Sequence, residues 1–440
     1  MQTLEQLKNG QLNGITRLKL SCGLKQFPEE ILELAETLEV LDLQGNQLTA
    51  LPDDFSRLKK LRILFLSNNL FTQIPAVISG CPELSMIGFK TNQIKEIAEN
   101  LFPPKTRWLI LTDNQIEKLP DSIGDLHLLQ KCTLAGNRLT KLPDTMSTCT
   151  NLELLRISAN QLEVIPKWLF KLPKLSWLAV AGNPCKQLHT QHPDTLEEIS
   201  RDKITLHETL GEGASGVISK ATIHGTESVA VKLFKGAVTS DGYPLDEMRA
   251  AIAAGEHDNL NTPFAKAVDH SEGKEGLLYA LIPPHYSDLG NPPSLESCSR
   301  DTYPEDRTFT FEQTLKILTS VCRASLQLHQ RGVNHGDLYA HNTLMNDEGD
   351  AILGDFGAAS IYDQTTDNHA YERLEIRAFG CMMEELLERC SDKRVYAASY
   401  QQLEVLKNRC IQPEVNQRPV FTKINERLQQ ISLSLGTSHS

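Results

Sequence analysis

The chain has 440 residues, and its 44 Lys and Arg residues are outnumbered by 56 Asp and Glu residues, which gives a formal net charge of −12. The length predicts two or three domains, and the negative charge favours solubility and argues against a nucleic-acid-binding surface. No apolar run approaches the roughly 18 residues of a membrane span, and residues 1–10 lack the basic cluster and apolar block of a signal peptide.

The ten cysteines are scattered, and no two of them form a CxxC pair. Cys81 and Cys149 fall near leucine positions of the repeat described below, and Cys132 replaces a leucine in it. Cysteines at such positions act as small core hydrophobes. The pattern predicts a cytoplasmic protein with structural thiols, and it argues against a disulfide framework or a zinc site.

An asparagine recurs at a nearly constant interval through the first half of the chain. The spacing is 23 residues, with one interval of 22, and the positions are Asn46, Asn69, Asn92, Asn114, Asn137, Asn160 and Asn183. Each lies in the same apolar pattern, of which one instance is Leu152, Leu155, Ile157, Asn160, Leu162, Ile165 and Pro166. This pattern resembles the leucine-rich repeat, LxxLxLxxNxLxxLP.

The resemblance implies an α/β repeat solenoid, the leucine-rich-repeat horseshoe, with about eight repeats in residues 1–200. One repeat cannot bury its apolar side alone, but stacked repeats share a continuous core. The repeated Asn side chain is expected to satisfy backbone groups at the turn after each strand. These asparagines are therefore predicted to be structural and not catalytic.

On the concave face of the predicted strands, the position before the central leucine is apolar in six of seven repeats. The residues at this position are Val40, Ile63, Met86, Trp108, Lys131, Leu154 and Trp177. Solvated strand faces usually alternate to polar residues, so an apolar stripe indicates a protein contact. The predicted contact residues are Ile63, Met86, Trp108, Leu154 and Trp177. The stripe could meet a separate protein partner or the second half of this chain, or flanking side chains could simply cover it.

A polar segment, residues 186–202, follows the repeats and is interpreted as a cap or short linker. Residues 195–199 are expected to form a helical turn that closes the solenoid.

The second half opens on a glycine-rich loop, Leu210-Gly211-Glu212-Gly213-Ala214-Ser215-Gly216, followed by Val217 and Ile218. This GxGxxG pattern alone is weak, because dinucleotide-binding folds share it. Strand-like residues on both sides, at 204–210 and 217–223, predict a hairpin and not a strand-to-helix turn. Glycines let such a loop close over phosphates and donate backbone N–H groups.

A lysine lies inside the next apolar strand, residues 229–234. Lys232 would be costly to bury there unless its ammonium group finds a partner. Residues 244–255 have a helical pattern, and the family resemblance described below implies a glutamate there as that partner, for which Glu247 is the best candidate and Asp246 the alternative.

Two acidic motifs follow a predicted helix at 311–330. They are His335-Gly336-Asp337-Leu338-Tyr339-Ala340-His341-Asn342, termed here the catalytic loop, and Asp355-Phe356-Gly357. Asp337 could accept the proton of an attacking hydroxyl group. Asn342 and Asp355 could hold Mg²⁺, a hard cation that prefers oxygen ligands.

These motifs, in this order, resemble a eukaryotic-type protein kinase. The resemblance implies an α+β bilobal protein kinase fold over residues 203–432, with a tail at 433–440. Lys232, paired with Glu247, would position the phosphates of ATP, and Asp337 would be catalytic; Mg²⁺ would bind Asn342 and Asp355. ATP would contact Leu210, Gly211, Glu212, Gly213, Ala214, Ser215, Gly216, Ile218, Ala230 and Lys232.

The chain departs from that family at several positions. Gly336 stands where most kinases have an Arg that binds a phosphate on the activation loop, so activation by loop phosphorylation is not expected. Only 17 residues separate Gly357 from the expected helix at Glu375, and the usual Ala-Pro-Glu triplet is missing. Glu372 is the predicted partner of Arg418, because an unpaired buried charge would be destabilising. Residues 291–306 are interpreted as a surface insertion.

The sequence does not decide whether the hydroxyl group that accepts the phosphate belongs to serine, threonine or tyrosine. Tyr339 stands where serine/threonine kinases usually carry Lys, and His341 stands where tyrosine kinases carry Arg. The sequence favours an ATP- and Mg-dependent protein kinase, with Ser/Thr preferred as the commoner class and the repeats recruiting or restraining it. The alternatives are a pseudokinase scaffold, suggested by Gly336 and the short segment, and a kinase for a small molecule.

Overall fold

A computed structural model describes residues 2–186, 196–213, 215–235, 238–239, 241–269, 274–367 and 369–437. By their internal contacts the residues form two compact units. The first comprises Met1–Leu172 and Asn183–Cys185, and the second comprises Pro173–Gly182 and Lys186–Ser440.

The first unit begins with helix α1 (Leu4–Lys8) and contains seven parallel strands of three residues each. These strands pair in chain order and are β1 (Arg17–Lys19), β2 (Val40–Asp42), β3 (Ile63–Phe65), β4 (Met86–Gly88), β5 (Trp108–Ile110), β6 (Lys131–Thr133) and β7 (Leu154–Arg156). The middle residue of every strand aligns with that of the next and is fully buried; in β6 this residue is Cys132, as predicted for a small core hydrophobe. Five of the short 3₁₀ helices between strands start directly after a proline, which fixes the backbone for such a turn.

The repeated asparagines tie consecutive repeats together. Asn114 is buried, and its Nδ2 donates to Phe89 O at 2.9 Å and to Leu111 O at 3.1 Å. Its Oδ1 accepts a hydrogen bond from Ile94 N at 3.1 Å. The side chain therefore satisfies backbone groups of its own turn and of the preceding repeat, which confirms the structural role predicted from the sequence.

We expect Asn114→Ala to lower the free energy of unfolding by about 2–5 kcal/mol, because buried backbone groups lose their partners. Urea unfolding measured by circular dichroism would give the value. Gln115→Ala is the matched control, because the Gln115 bond to Ile94 O, at 2.9 Å, comes from the backbone N–H. The control should change stability by no more than about 0.5 kcal/mol. Equal effects of the two substitutions would contradict the role assigned to the asparagine.

The second unit contains strand β8 (Trp177–Ala179) and a separate six-stranded sheet. The strands of this sheet are β9 (Glu197–Ser200), β10 (Ile204–Glu212), β11 (Gly216–Ile223), β12 (Glu227–Phe234), β13 (Ala265–Asp269) and β14 (Lys274–Tyr279). Their order in the sheet is β10-β11-β12-β14-β13-β9. All neighbours are antiparallel except β13 and β9. The apolar core on this sheet includes Ile204, Ala221, Val231 and Leu278.

The helical turn expected at residues 195–199 was a wrong prediction. Residues 197–200 instead form strand β9, which pairs in parallel with β13, and Ile199 packs against the apolar core of the sheet. An exposed edge of β13 offers unpaired backbone groups, and a chain segment that satisfies them is more stable as a strand. Residues 187–195 lie outside the described residues.

A helical part completes the second unit. Its helices are α2 (Pro244–Ala254), α3 (Phe311–Gln330), α4 (Gln364–Asp367), α5 (Ala370–Glu388), α6 (Ala397–Ile411) and α7 (Phe421–Thr437). Its short strands are β15 (Ser287–Asp288), β16 (Val333–Asn334), β17 (Thr343–Met345), β18 (Ala351–Leu353) and β19 (Ser360–Ile361). Strands β16 and β19 pair, as do β17 and β18. The catalytic loop connects β16 to β17, and the Asp355-Phe356-Gly357 motif lies between β18 and β19. The described helices include none that is long and apolar enough to cross a membrane.

The boundaries differ from those predicted. Pro173–Gly182 belongs to the second unit although its sequence continues the repeat, and Lys186 onward belongs there too. Helix α5 begins at Ala370 and not at Glu375, so the segment after Gly357 is shorter than expected. Helix α7 runs to Thr437, so residues 433–437 of the predicted tail belong to a helix.

Candidate active site

The glycine-rich loop joins two antiparallel strands, β10 and β11, as the flanking residues predicted. Gly213 N donates to Gly216 O at 2.9 Å, which closes the loop. A Cβ on Gly216 would lie 2.5 Å from Leu233 O, whereas a Cβ on Gly211 or Gly213 would meet no heavy atom within 4 Å. Gly216 therefore permits close strand pairing, and Gly211 and Gly213 leave open space beside the loop backbone. Ala214 lies outside the described residues.

The flanks of this loop carry the other predicted nucleotide contacts. Leu210 is 50% exposed at the end of β10, and Glu212 pairs with Lys235 at 2.7 Å. Ile218 pairs in register with Lys232, and Ala230 pairs with Tyr279 on the opposite side of β12. These pairings place Ile218 beside Lys232 in the sheet that continues from the loop.

Lys232 and Glu247 form an ion pair between strand β12 and helix α2, as predicted. The Glu247 side chain is 4% exposed and the Lys232 side chain is 13% exposed. Burial raises the pKa of Glu247, and the charge of Lys232 opposes that shift. Asp246, the alternative partner, contacts Arg249 instead at 3.5 Å. The sheet thus holds a partly buried cation whose position is set by a helix carboxylate.

Asp337 and Asn342 are joined within the catalytic loop. Asn342 Nδ2 donates to Asp337 O at 2.9 Å and to Asp337 Oδ2 at 3.0 Å. His335 Nδ1 accepts from Asp337 N at 3.3 Å, and its Nε2 lies 2.9 Å from Gly354 O. These bonds fix the Asp337 carboxylate. They use only the Nδ2 group of the Asn342 side chain, so its Oδ1 atom can still serve as an acceptor.

Asp355 lies on a loop tied to Asn342, because Gly354 N donates to Asn342 O at 2.9 Å. Asp355 has a φ of 58°, an uncommon conformation for a residue with a side chain. Its Oδ1 accepts from Gly357 N at 3.0 Å. Such backbone strain is concentrated at functional sites, and here it sets the direction of one carboxylate.

These residues fit a magnesium nucleotide. Asp337, Asn342 and Asp355 present oxygen acceptors, which Mg²⁺ prefers, and Lys232 presents a cation for phosphate. Mg²⁺ usually takes only one or two protein carboxylates and completes its shell with water and phosphate. Among the residues described, no site is built from three or more His, Cys, Asp and Glu side chains alone. The two Asp residues and one Asn residue here would therefore need water and phosphate as further ligands.

Glu375 anchors the catalytic loop from helix α5. It is 1% exposed, and it accepts hydrogen bonds from Gly336 N at 2.8 Å and His335 N at 3.3 Å. His329 Nε2 lies 2.7 Å from Glu375 Oε2. Although burial raises the pKa of Glu375, the hydrogen bond and charge of His329 outweigh it, so the pKa is below its ordinary value. A carboxylate at this position supports the backbone just before Asp337.

Gly336 occupies a crowded position that no other residue type suits. Its φ is 73°, and an added Cβ would lie 2.5 Å from Ala358 O and 2.8 Å from Leu178 O. The Arg of most kinases could therefore not be accommodated here without moving the backbone. The departure noted in the sequence thus reflects a close approach of two chain segments.

The segment predicted as a surface insertion, 291–306, is mostly exposed or half-buried, but a short part of it packs against the catalytic loop. Ser299 and Asp301 are buried, and they contact the catalytic loop. Tyr339 OH donates to Ser299 O at 2.9 Å, and Asp301 Oδ1 lies 2.7 Å from His341 Nδ1. Burial opposes protonation of His341, but the hydrogen bond and charge of Asp301 outweigh it and raise its pKa. The polar composition of the segment concealed these contacts.

The predicted pair of Arg418 and Glu372 does not form. Arg418 donates to three backbone carbonyls, those of Gln412 at 3.0 Å, Arg373 at 3.0 Å and Pro173 at 2.7 Å. Glu372 instead accepts from Phe421 N at 2.7 Å. Burial lowers the pKa of Arg418, and the charge of Arg377 adds to that effect. Carbonyl oxygens therefore take the place of the carboxylate that sequence comparison suggested.

The apolar stripe of the repeats is only partly exposed. Ile63 and Trp108 are half-buried, whereas Met86 and Leu154 are buried. Lys131, the one polar member of that column, lies 4.3 Å from the centre of the Trp108 ring. Trp177 is buried in the second unit, with its ring stacked on Tyr339. A protein contact through the first four residues stays a prediction.

Comparison with known proteins agrees with this architecture. The leucine rich repeat family matches residues 36–94 and 127–184, and the protein tyrosine and serine/threonine kinase family matches residues 204–398.

Several curated relatives match about two-fifths of this chain. Fibroblast growth factor receptor 1 of Xenopus laevis is 26% identical over 40% of the chain and 24% of its own length. A probable cyclin-dependent serine/threonine-protein kinase of Dictyostelium discoideum is 31% identical over 40% of the chain and 24% of its own length. Cysteine-rich receptor-like protein kinase 26 of Arabidopsis thaliana is 30% identical over 41% of the chain and 26% of its own length. The chain thus spans about a quarter of the length of these relatives.

A solved leucine-rich-repeat protein of Leptospira interrogans is 30% identical over 38% of this chain and 49% of that one, with a TM-score of 0.33. The family matches show that the chain carries leucine-rich repeats followed by a domain of the protein tyrosine and serine/threonine kinase family, which is the architecture of a leucine-rich-repeat kinase.

Proposed function

We propose that this protein transfers the γ-phosphoryl group of magnesium ATP to a serine or threonine hydroxyl of a protein. The observation that carries the proposal is that two pairs of side chains expected in such a site form in this protein. Lys232 pairs with Glu247, and Asp337 is hydrogen-bonded to Asn342. Pseudokinase scaffolds have no need to preserve these links.

Each residue has one task in the proposed reaction. Asp337 orients the acceptor hydroxyl and takes its proton as the oxygen attacks the γ-phosphorus of ATP. The bond from that phosphorus to the bridging oxygen breaks, and ADP leaves. Lys232 holds the phosphates, and Glu247 fixes the position of Lys232. Asn342 and Asp355 would hold Mg²⁺, which supplies positive charge to the phosphate oxygens when it is bound. The glycine-rich loop would donate backbone N–H groups and exclude water.

The preference for serine or threonine is supported by a modest observation. The Dictyostelium discoideum relative, which is named as a serine/threonine-protein kinase, is 31% identical, whereas the Xenopus laevis growth factor receptor is 26% identical.

We further propose that the repeats bind a protein partner or regulate the kinase, because the column of Ile63, Met86, Trp108 and Leu154 is apolar. An intracellular location is proposed from the buried thiols of Cys81, Cys132 and Cys149.

The test is transfer of label from γ-labelled ATP to a generic protein acceptor and to the protein itself. With Mg²⁺ we expect label on protein, and with excess EDTA we expect that label to fall at least about 100-fold, because the phosphates lose their main charge partner. Adding excess Mg²⁺ back is the control, and it should restore transfer. Phosphoamino-acid analysis of the product then distinguishes serine and threonine from tyrosine.

Two results would contradict the proposal. Label found on tyrosine alone would overturn the acceptor class and leave the kinase assignment intact. Binding of ATP without label on any protein would favour a scaffold, or a kinase that acts on small molecules. A screen of small metabolites as acceptors would separate those two alternatives.

A further inference from the structure

One segment of the second unit comes from the repeat sequence. Pro173–Gly182, which contains strand β8, clusters with the kinase domain by its contacts. Trp177 in this segment is 1% exposed, and its ring stacks on Tyr339 with 4.3 Å between centres and 7° between planes. Its Nε1 donates to Leu338 O at 3.0 Å. Leu338 and Tyr339 directly follow Asp337, so Trp177 contacts both the backbone and a side chain of the catalytic loop.

The same segment contacts the chain on both sides of the site. Leu178 O accepts from Asn334 Nδ2 at 3.1 Å, three residues before Asp337. Val180 N, just after strand β8, donates to Ser360 Oγ at 3.2 Å, in the segment that follows Gly357. Pro173–Gly182 therefore connects the start of the catalytic loop to the segment after the metal-binding motif.

Two arginines of the second unit fix the beginning of the segment. Arg377 Nη1 donates to Ser176 Oγ at 2.8 Å, and Arg418 Nη2 donates to Pro173 O at 2.7 Å. Arg418 is 2% exposed, so this bond satisfies a buried charge. A segment held by buried donors at one end and by the catalytic loop at the other is part of the fold of the second unit.

The departures of this chain from its family are explained by the same segment. Gly336 lacks a side chain at the point where Leu178 O approaches. Tyr339 stands in place of a basic residue, and its ring provides the face on which Trp177 stacks. The chain between Gly357 and helix α5 is short, and Val180 contacts it at Ser360.

We propose that Trp177 is a positioning residue for phosphoryl transfer, and that Pro173–Gly182 is an added element of the kinase site. The inference rests on the proposed kinase function. In this arrangement the Trp177 ring and its N–H fix Leu338 and Tyr339, and through them the direction of the Asp337 carboxylate. A misplacement of catalytic groups by about 1 Å can lower a rate by about 100-fold. The nucleotide contacts at Lys232 and the glycine-rich loop should be unaffected.

The experiment compares full-length Trp177→Ala and Trp177→Phe with the wild type. Trp168→Ala is the matched control, because Trp168 belongs to the first unit and donates from Nε1 to Asp144 at 3.1 Å. Three quantities are measured: kcat and KM for ATP, the Kd of Mg-ADP by calorimetry, and amide hydrogen exchange of residues 334–342.

We expect Trp177→Ala to lower kcat by at least about tenfold while KM and Kd change by less than about twofold, because the reacting groups move and the nucleotide site does not. Exchange of amides 334–342 should accelerate. Trp177→Phe keeps an aromatic ring but not the bond to Leu338 O, so it should give intermediate values. The control should match the wild type in all three measurements.

The proposal is overturned if both Trp177 variants match Trp168→Ala in kcat and in exchange. It is also overturned if kcat and nucleotide affinity fall together, which would indicate a general loss of structure. If Trp177→Ala fails to fold, the Phe variant alone decides between these results. If the wild type transfers no phosphate, the proposed function fails, and the exchange rates still test whether Trp177 positions the loop.

Discussion

Replacing Asp337 by Asn is expected to lower phosphoryl transfer by about 10²–10⁴-fold, the usual contribution of a positioned general base. An amide cannot take the proton of the acceptor hydroxyl, but it keeps the shape of the carboxylate. The Asn342 bond, now 3.0 Å to Asp337 Oδ2, can be retained by the amide oxygen. The substitution should therefore remove chemistry while leaving the loop folded, and steady-state transfer of labelled phosphate would measure the loss.

Asp347→Asn provides the matched control. It is the same chemical change ten residues further on, at an exposed turn between strands β17 and β18. The control should transfer phosphate at the wild-type rate, and calorimetry should give both variants the wild-type affinity for Mg-ATP. If Asp337→Asn retained more than about a tenth of the wild-type rate, Asp337 would not be the base.

The sequence predicted those parts of the molecule that local patterns encode. The hydrogen bonds of the repeated asparagines follow from the 23-residue leucine-rich pattern, and the pairing of Lys232 with Glu247 follows from the resemblance of the surrounding motifs to protein kinases. Asp337, Asn342 and Asp355 could be assigned because their chemistry depends on residue type and short spacing. In each case the partner lies on the adjoining element or within one loop.

The parts that the sequence did not predict depend on contacts between distant segments. Arg418 uses the carbonyl of Pro173, which is 245 residues away, and a carbonyl has no sequence signature. Ser299 likewise supports Tyr339 through its backbone oxygen. Strand β9 depends on the free edge of β13, which only the assembled sheet presents. The sequence predicted a protein contact at Trp177, but nothing in the repeat pattern identifies the catalytic loop as the surface that Trp177 meets.

Gly336→Ala is expected to lower the free energy of unfolding of the kinase unit by roughly 2–5 kcal/mol. A side chain at a φ of 73° costs about 1–2 kcal/mol. The added Cβ would also lie 2.5 Å from Ala358 O and 2.8 Å from Leu178 O. Relieving such crowding in a packed region typically costs about 1–3 kcal/mol more. Both oxygens are backbone atoms, so no side-chain rotation can relieve the contact.

Gly225→Ala separates the two contributions, because both glycines lie in the second unit. Gly225 has a similar φ of 76°, but an added Cβ there meets no heavy atom within 4 Å. It should therefore show the conformational cost alone, roughly 1–2 kcal/mol. Urea unfolding of the same transition in both variants measures the difference. If the two losses are equal, the backbone is not crowded at Gly336, and an arginine there would have been excluded by conformation and not by the approach of Leu178.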